Sequence, residues 1–428
     1  MRSMNRLRRI LPFCLVLGSL VAQPALAGDF TAIKAGKLLD PETGTLLSNQ
    51  VILIERARIK AVGPNLAIPA DAKVIDLSRQ TVLPGLFDAH THLCANADLS
   101  GHSLPEVVDS YMAYTIKVPT AYRVLQGVAN ARSMLESGFT TVRDVGNAGN
   151  YGDIALRDAI DNGLVPGPTM YVSGRIIAPF GGQYRLGPEQ TIESSSDYLT
   201  ADSRDELRKA IRENVHYGAN WIKIVADDQK YSYSEDDFRF IVQEAAQAGR
   251  KVAVHCMKED CVRKAAAAGV ASIEHAPTAS DQALLAMKDN GVVLVGTELS
   301  MNILVQMRAD FFYSQFLDRL KRAHQIGVKM AFGSDVYMRV PGMERGGAAL
   351  SLIDSWVEAG MPALDLVRAM TISAAQLLGV ESRRGTIKPG MMADIIATRE
   401  NPLDNVQTLK NVVFVMKSGD VVKNLATP

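Results

Sequence analysis

Between residues 81 and 335 the chain alternates repeatedly between short apolar runs and amphipathic stretches, and no other feature limits its fold so tightly. The apolar runs fall at 81–92, 139–146, 169–174, 221–226, 251–256, 272–276, 292–297 and 329–335. They are mostly continuous rather than alternating with polar residues, as expected of strands buried on both faces. Helical periodicity marks stretches between them, at 123–137, 204–217, 235–248 and 312–326. Parallel strands joined by crossover helices make an α/β architecture, and eight such units predict a closed (β/α)8 TIM barrel. An open doubly wound sheet is the alternative, but no Gly-x-Gly-x-x-Gly turn follows an early strand.

The two ends have a different texture. Thr31–Lys34, Gln50–Ile54 and Arg58–Val62 are short strand-like segments separated by turn residues, and Ala393–Ala397, Val412–Met416 and Asp420–Val422 repeat that pattern. Neither end has enough strands to be stable alone. They are expected to pair into one small β-sandwich domain, from 28–83 and 384–428, around a barrel spanning 84–383. The first residues are of another kind. Arg2, Arg6, Arg8 and Arg9 precede an apolar run from Ile10 to Ala22, then Ala25-Leu26-Ala27. That is the layout of a cleavable signal peptide over 1–27, with an apolar core too short to span a bilayer comfortably. The mature chain is expected to begin near Gly28 and to work in the periplasm or outside the cell.

Charge narrows the partners. Lys+Arg and Asp+Glu both total 46, so the chain carries no electrostatic footprint for nucleic acid or an anionic membrane. A small molecule is the expected partner. Signal removal leaves Cys94, Cys256 and Cys261, an odd number that argues against a disulfide framework. All three are expected to be small buried apolar side chains, with no Cys256–Cys261 bridge because the two lie so close in sequence. Cys256 should face away from any site to which His255 points.

Chemistry-bearing residues stand at the strand ends. His90 and His92, in Phe87-Asp88-Ala89-His90-Thr91-His92, are two apart on a strand and so point to one face, where both can reach one metal. Lys223 sits in the apolar run Trp221-Ile222-Lys223-Ile224-Val225, where a charged amine is costly unless neutralised. It either snorkels to a carboxylate or is carbamylated by carbon dioxide and bridges two metals. His255 and His275 close the fifth and sixth runs, and Asp335 follows Phe332-Gly333-Ser334 at the eighth. A carboxylate there can bind metal, take a proton from water and return it to a leaving nitrogen.

Taken together, His90-x-His92, Lys223, His255, His275 and Gly333-Ser334-Asp335 resemble the amidohydrolase superfamily in its two-metal, carbamylated-lysine form. The segments Thr371–Gly379 and Gly385–Asp394 are similar to that family's closing stretch, so the resemblance covers nearly all of the mature chain. It implies that His90, His92 and Asp335 hold one divalent ion, that His255 and His275 hold the other, and that carbamylated Lys223 bridges them. The ions are expected to be zinc, and a metal-bridging hydroxide to attack the carbonyl. Gly218–Ile224 and Val252–His255 are similar to exported Xaa-Pro dipeptidases, carboxypeptidase-like amidases and ochratoxin A-hydrolysing enzymes, a group that often forms homo-oligomers.

One departure stands out. Many relatives have a histidine after paired glycines, where this chain has Phe180-Gly181-Gly182-Gln183-Tyr184. Gln183 or Tyr184 would then have to polarise the carbonyl. For a substrate carboxylate, Tyr231 and Tyr233 stand just past Lys223, and Arg185, Arg339 and Arg345 on other rim loops. Phe180, Met301, Tyr337 and Met338 are candidates for an apolar pocket, whereas His102, His216 and His324 are assigned no role. The expected activity is metal-dependent cleavage of an amide beside a free carboxylate, in dipeptides, N-acyl amino acids or ochratoxin-like amides. The rivals are a cyclic-amide or lactone hydrolase, a deaminase (disfavoured because that chemistry does not need Lys223), and a non-catalytic oligomeric relative, disfavoured because all six ligand positions are filled.

Overall fold

The structure, a computed structural model, describes residues 30–98, 104–146, 148–184 and 196–426. The expected signal peptide, His102 and Arg185 lie outside the described residues.

Eight parallel strands run in chain order around a barrel: Leu86–Thr91, Phe139–Asp144, Thr169–Val172, Trp221–Val225, Lys251–Cys256, Ser272–His275, Val293–Gly296 and Met330–Phe332. The first three pair in sequence, as do the last five. The amide of Asn220 joins the two groups by donating to the Val172 carbonyl at 2.7 Å, and the Asp335 amide closes the ring by donating to the His90 carbonyl at 2.8 Å. Every residue of the first two strands is buried, as continuous apolar runs require. Helices cover the outside. Arg204–Tyr217 and Glu235–Gln247 each begin with a reciprocal capping box, Ser203 with Glu206 and Ser234 with Asp237, which satisfies amides that a helix start would otherwise leave bare. Their apolar stripes, including Leu207, Ile211, Phe238 and Ile241, pack on Ile222 and Val254 of the strands. Among the described residues no helix is long and apolar enough to cross a membrane.

The run 81–92, expected as one strand, is divided at Gly85. Lys73–Pro84 belongs to the small sheet and Leu86–Thr91 to the barrel. A Cβ at Gly85 would lie 2.1 Å from Thr140 Oγ1, so only glycine lets the chain pass that close to the second barrel strand.

The chain ends do combine. Strands Phe30–Asp40, Thr45–Glu55, Arg58–Gly63 and Lys73–Pro84 join Ile395–Thr398, Phe414–Lys417 and Asp420–Asn424 in one seven-stranded sheet. It is a single sheet folded over on itself, because Arg58 bridges Met392 and the Gly390 amide donates to the Ile59 carbonyl at 2.8 Å. Ile33, Ile52, Ile75, Ile395 and Phe414 fill the fold.

The cysteine expectation needs correction. Cys256 and Cys261 form a disulfide, and Cys94 is buried and free. Cys256 ends its strand facing the helical layer, as strand alternation requires. The helix Glu259–Ala267 starts three residues later, and its first turn swings Cys261 back over the strand end, leaving the two Cα atoms 5.5 Å apart. Five residues suffice because the chain reverses between them.

Candidate active site

All six expected ligands converge on the C-terminal mouth of the barrel, where such folds carry their chemistry. His90 Nε2 lies 3.2 Å from His92 Nε2, and Asp335 Oδ1 lies 3.5 Å from the first and 3.0 Å from the second. The rings of His90 and His275 are 4.9 Å apart, and those of His275 and His255 4.6 Å. Lys223, 2 % exposed, lines the same cavity.

Surrounding groups hold these side chains in place. Glu274 accepts from His90 Nδ1 at 2.7 Å, which turns Nε2 inward. Glu274 is held in turn by Arg143 at 2.8 Å and by the Ser272 hydroxyl at 2.5 Å, while Arg143 also donates to the Ala89 carbonyl at 2.6 Å. His92 Nδ1 meets the Gly146 carbonyl at 3.0 Å, and His275 Nδ1 meets Thr297 Oγ1 at 2.8 Å. Asp88 Oδ1 accepts from the amides of His90 and Ser334, both at 3.0 Å, tying the first strand to the loop that carries Asp335. Two ligands sit on left-handed backbone, His275 at φ 66° and Asp335 at φ 52°. Such conformations cost on the order of 1–3 kcal/mol and persist where the surroundings dictate them. At His275 the twist lets Glu274 and its neighbour both reach the barrel interior, which regular alternation forbids.

Electrostatics favour metal-ready protonation states. Burial, reinforced by the Lys223 charge, keeps His90 well below its ordinary pKa, and burial with the neighbouring histidines does the same for His275. Burial pushes the Asp335 carboxyl up, but His90, His92 and Lys223 outweigh it and hold the group below the usual carboxylate range. Burial also lowers Lys223 to about 8, against the pull of Glu274 and Asp335. At His255 burial lowers the pKa, but the adjacent Asp228 carboxylate outweighs it and raises it, so a metal there displaces that proton. Neutral His90 and His275, an ionised carboxylate and an amine near neutrality are donors that divalent ions require. The residues fit a two-metal centre.

Gly333 supports this packing. A Cβ there would meet Val295 Cγ1 at 2.6 Å and His90 Cβ at 2.7 Å. Gly333→Ala is expected to lower stability by about 1–3 kcal/mol through overpacking. It should also weaken metal binding by displacing His90. Melting in chelator and a metal titration read the two effects separately, and unchanged metal affinity would contradict the second.

The cavity above the ligands measures about 540 Å³. Leu299, Leu304, Met307, Phe312 and Phe316 form an apolar wall, with Gln183, Tyr184, Asp228, Gln315, Arg319 and Tyr337 as its polar members. Gln183 is pinned, since it accepts from the Tyr198 hydroxyl at 2.5 Å and hydrogen-bonds Asp228. Tyr184 packs against the rings of Tyr111 and Tyr198.

The other residues expected at the substrate lie elsewhere. Tyr231 is half exposed and donates to the Phe180 carbonyl, whereas Tyr233 is buried and donates to the Ala201 carbonyl at 2.7 Å. Neither lines the cavity, although Asp228, earlier on the same loop, does. Arg339 pairs with Asp98 at 2.9 Å on the surface. Arg345 is buried and clamps the carbonyls of His92, Ala95 and Val336. Phe180 and Met301 are exposed, while Met338 is buried. Glu274, Arg143, Asp88, Asp228 and Arg319 were not singled out by sequence reasoning, though Glu274 beside His275 is a charged residue in a buried run and could have been.

Comparison with known proteins agrees with this geometry. The amidohydrolase family model matches residues 81–422. Ochratoxinase from Aspergillus niger is 28% identical, over 92% of this chain and 86% of its own. The crystal structure of that ochratoxinase superposes with a TM-score of 0.77 at 25% identity, over 94% of this chain and 97% of its own. A Xaa-Pro dipeptidase with methionine bound in its active site superposes with a TM-score of 0.80 at 29% identity, covering 92% of this chain and 99% of its own. With its barrel, its ligand-bearing strand ends and a family match over most of its length, the chain belongs to the amidohydrolase family and is a hydrolytic enzyme of amide bonds.

Proposed function

We propose that the enzyme cleaves an amide adjacent to a free carboxylate in dipeptides and N-acyl amino acids, with ochratoxin A-like amides within reach of the same cavity. His90, His92 and Asp335 would hold one divalent ion and His255 and His275 the other, with carbamylated Lys223 shared between them and zinc suited to the donor set. Bound there, such ions supply Lewis acidity and water that ionises near neutral pH. Asp335, kept ionised, accepts a proton at its carboxylate and returns it to the leaving nitrogen. The apolar wall takes the substrate side chain and excludes water. The relatives named for ochratoxin and Xaa-Pro dipeptides support this reading.

The observation that carries the carboxylate preference is Arg319. It is 1% exposed, lines the cavity and pairs with Glu298 through Nη2, while its Nε and Nη1 have no hydrogen-bond partner. A buried guanidinium with donors to spare is suited to a carboxylate, and Gln315, one turn earlier on the helix Tyr313–Ile326, faces the same cavity. The wild-type enzyme should release phenylalanine from an N-acyl-phenylalanine but leave the matching carboxamide nearly untouched. Arg319→Gln should cut kcat/KM for the acid by roughly 10–100-fold, mostly through KM, as expected when a charged hydrogen bond worth about 1.5–3 kcal/mol is lost. Equal rates on acid and carboxamide would refute the preference. Cleavage of neither would favour a cyclic amide or lactone as substrate.

The same reading places the mature enzyme in the periplasm or medium as a homo-oligomer, on the strength of its N-terminal segment and the group it resembles.

A further inference from the structure

We propose that Asp228 is a protein ligand of the metal held by His255 and His275, an inference that rests on the two-metal reading above. Asp228 Oδ2 lies 3.0 Å from His255 Nε2. Both atoms are buried without any other partner, and although Asp228 is close enough to raise the His255 pKa, the contact is not aligned as a hydrogen bond. Two polar atoms that close, without hydrogen-bond geometry, face a common point rather than each other. The first triad has the same spacing, with Asp335 Oδ1 at 3.0 Å from His92 Nε2. Donors that share one ion at roughly 2.0–2.2 Å sit about this far apart.

The neighbouring side chains prepare Asp228 for that role. Asp227 lies in the same cluster, but backbone amides engage both its oxygens, Oδ1 accepting from Met257 at 3.0 Å and Oδ2 from Lys258 at 2.6 Å, binding the loop after the fourth strand to the loop after the fifth. Asp228 is thereby left at the cavity wall beside His255. Its carboxylate is fixed from behind by Gln183, itself held by the Tyr198 hydroxyl. Tyr198, Gln183 and Asp228 thus form a chain ending at the second metal position. This gives Gln183 a positioning role in place of carbonyl polarisation. Two imidazoles and a carboxylate are a suitable donor set for a divalent first-row ion.

The test is a Co²⁺ titration of metal-free, full-length protein, followed by visible absorption, which reports each ion's ligands. Wild type should take up two equivalents. Asp228→Asn should bind the first as wild type does but the second at least about tenfold more weakly, since even outer-shell losses cost 10–100-fold. Its second-ion spectrum should shift. Asp228→Ala should do the same, and circular dichroism identifies a folding defect, in which case the Asn variant decides. Wild-type affinity and spectrum in Asp228→Asn would overturn the assignment and leave Asp228 as a reader of substrate. Uptake of a single equivalent by wild type would instead overturn the two-metal reading, and this inference with it.

Discussion

Asp335→Asn is expected to lower turnover by about a thousandfold while the protein keeps its fold and much of its metal, the range expected for losing a positioned general acid–base. The substitution is nearly isosteric, and asparagine tolerates the left-handed backbone that residue 335 adopts at φ 52°. An amide oxygen can still approach a cation, but the side chain no longer accepts a proton at neutral pH. The loss should therefore appear in kcat, with KM changed little. In the metal-free protein with Lys223 unmodified, burial raises this carboxyl but His90, His92 and Lys223 outweigh it and hold it low, so its basic form is present throughout the neutral range and is lost only on acidification. Steady-state kinetics with metal analysis of the same sample checks this. An active Asn variant would end the proton-transfer role.

Lys223→Ala is expected to bring bound metal from two equivalents to one on dialysis and to abolish measurable turnover. In the wild type the ε-amine is buried and its pKa falls to about 8, so a useful fraction is neutral and nucleophilic at mild pH. On the proposed carbamylation it would attack carbon dioxide: the N–C bond would form, one proton would leave to solvent, and the product would carry a single negative charge. At fixed dissolved carbon dioxide, reconstitution of metal-free protein should quicken about tenfold per pH unit below pH 8 and level off above it. In chelator the Ala variant should be no less stable than wild type, because an unmodified buried amine is a cost to the fold. That comparison separates lost metal from lost folding. Wild-type metal content in Lys223→Ala would remove the bridge.

Much of the architecture was legible because it rests on repetition. Continuous apolar runs marked eight buried strands, and one ligand type near a strand end marked each arm of the centre. What stayed hidden depended on local backbone departures. Gly85 divides one apolar run between two sheets. The left-handed turn at His275 brings Glu274 inward against the rule of alternation. The helix turn after Lys258 folds Cys261 onto Cys256, a reversal that sequence distance disguises. Tyr231 and Tyr233 were chosen for nearness to Lys223 along the chain, whereas the cavity wall is built from Asp228 and from Arg319, on a helix nearly a hundred residues further on. Polar residues on helix faces carry no pattern that distinguishes a cavity from solvent.

The central claim is that this buried cluster is a metal-dependent amide-hydrolysing site, and one assay tests it most directly. Metal-free protein is incubated with an N-acyl-phenylalanine, with and without two equivalents of Zn²⁺ and bicarbonate, and free phenylalanine is quantified. Release that appears on adding metal and stops on chelation is the expected result. Release indifferent to metal, or none across N-acyl amino acids and dipeptides with both ions bound, would contradict it.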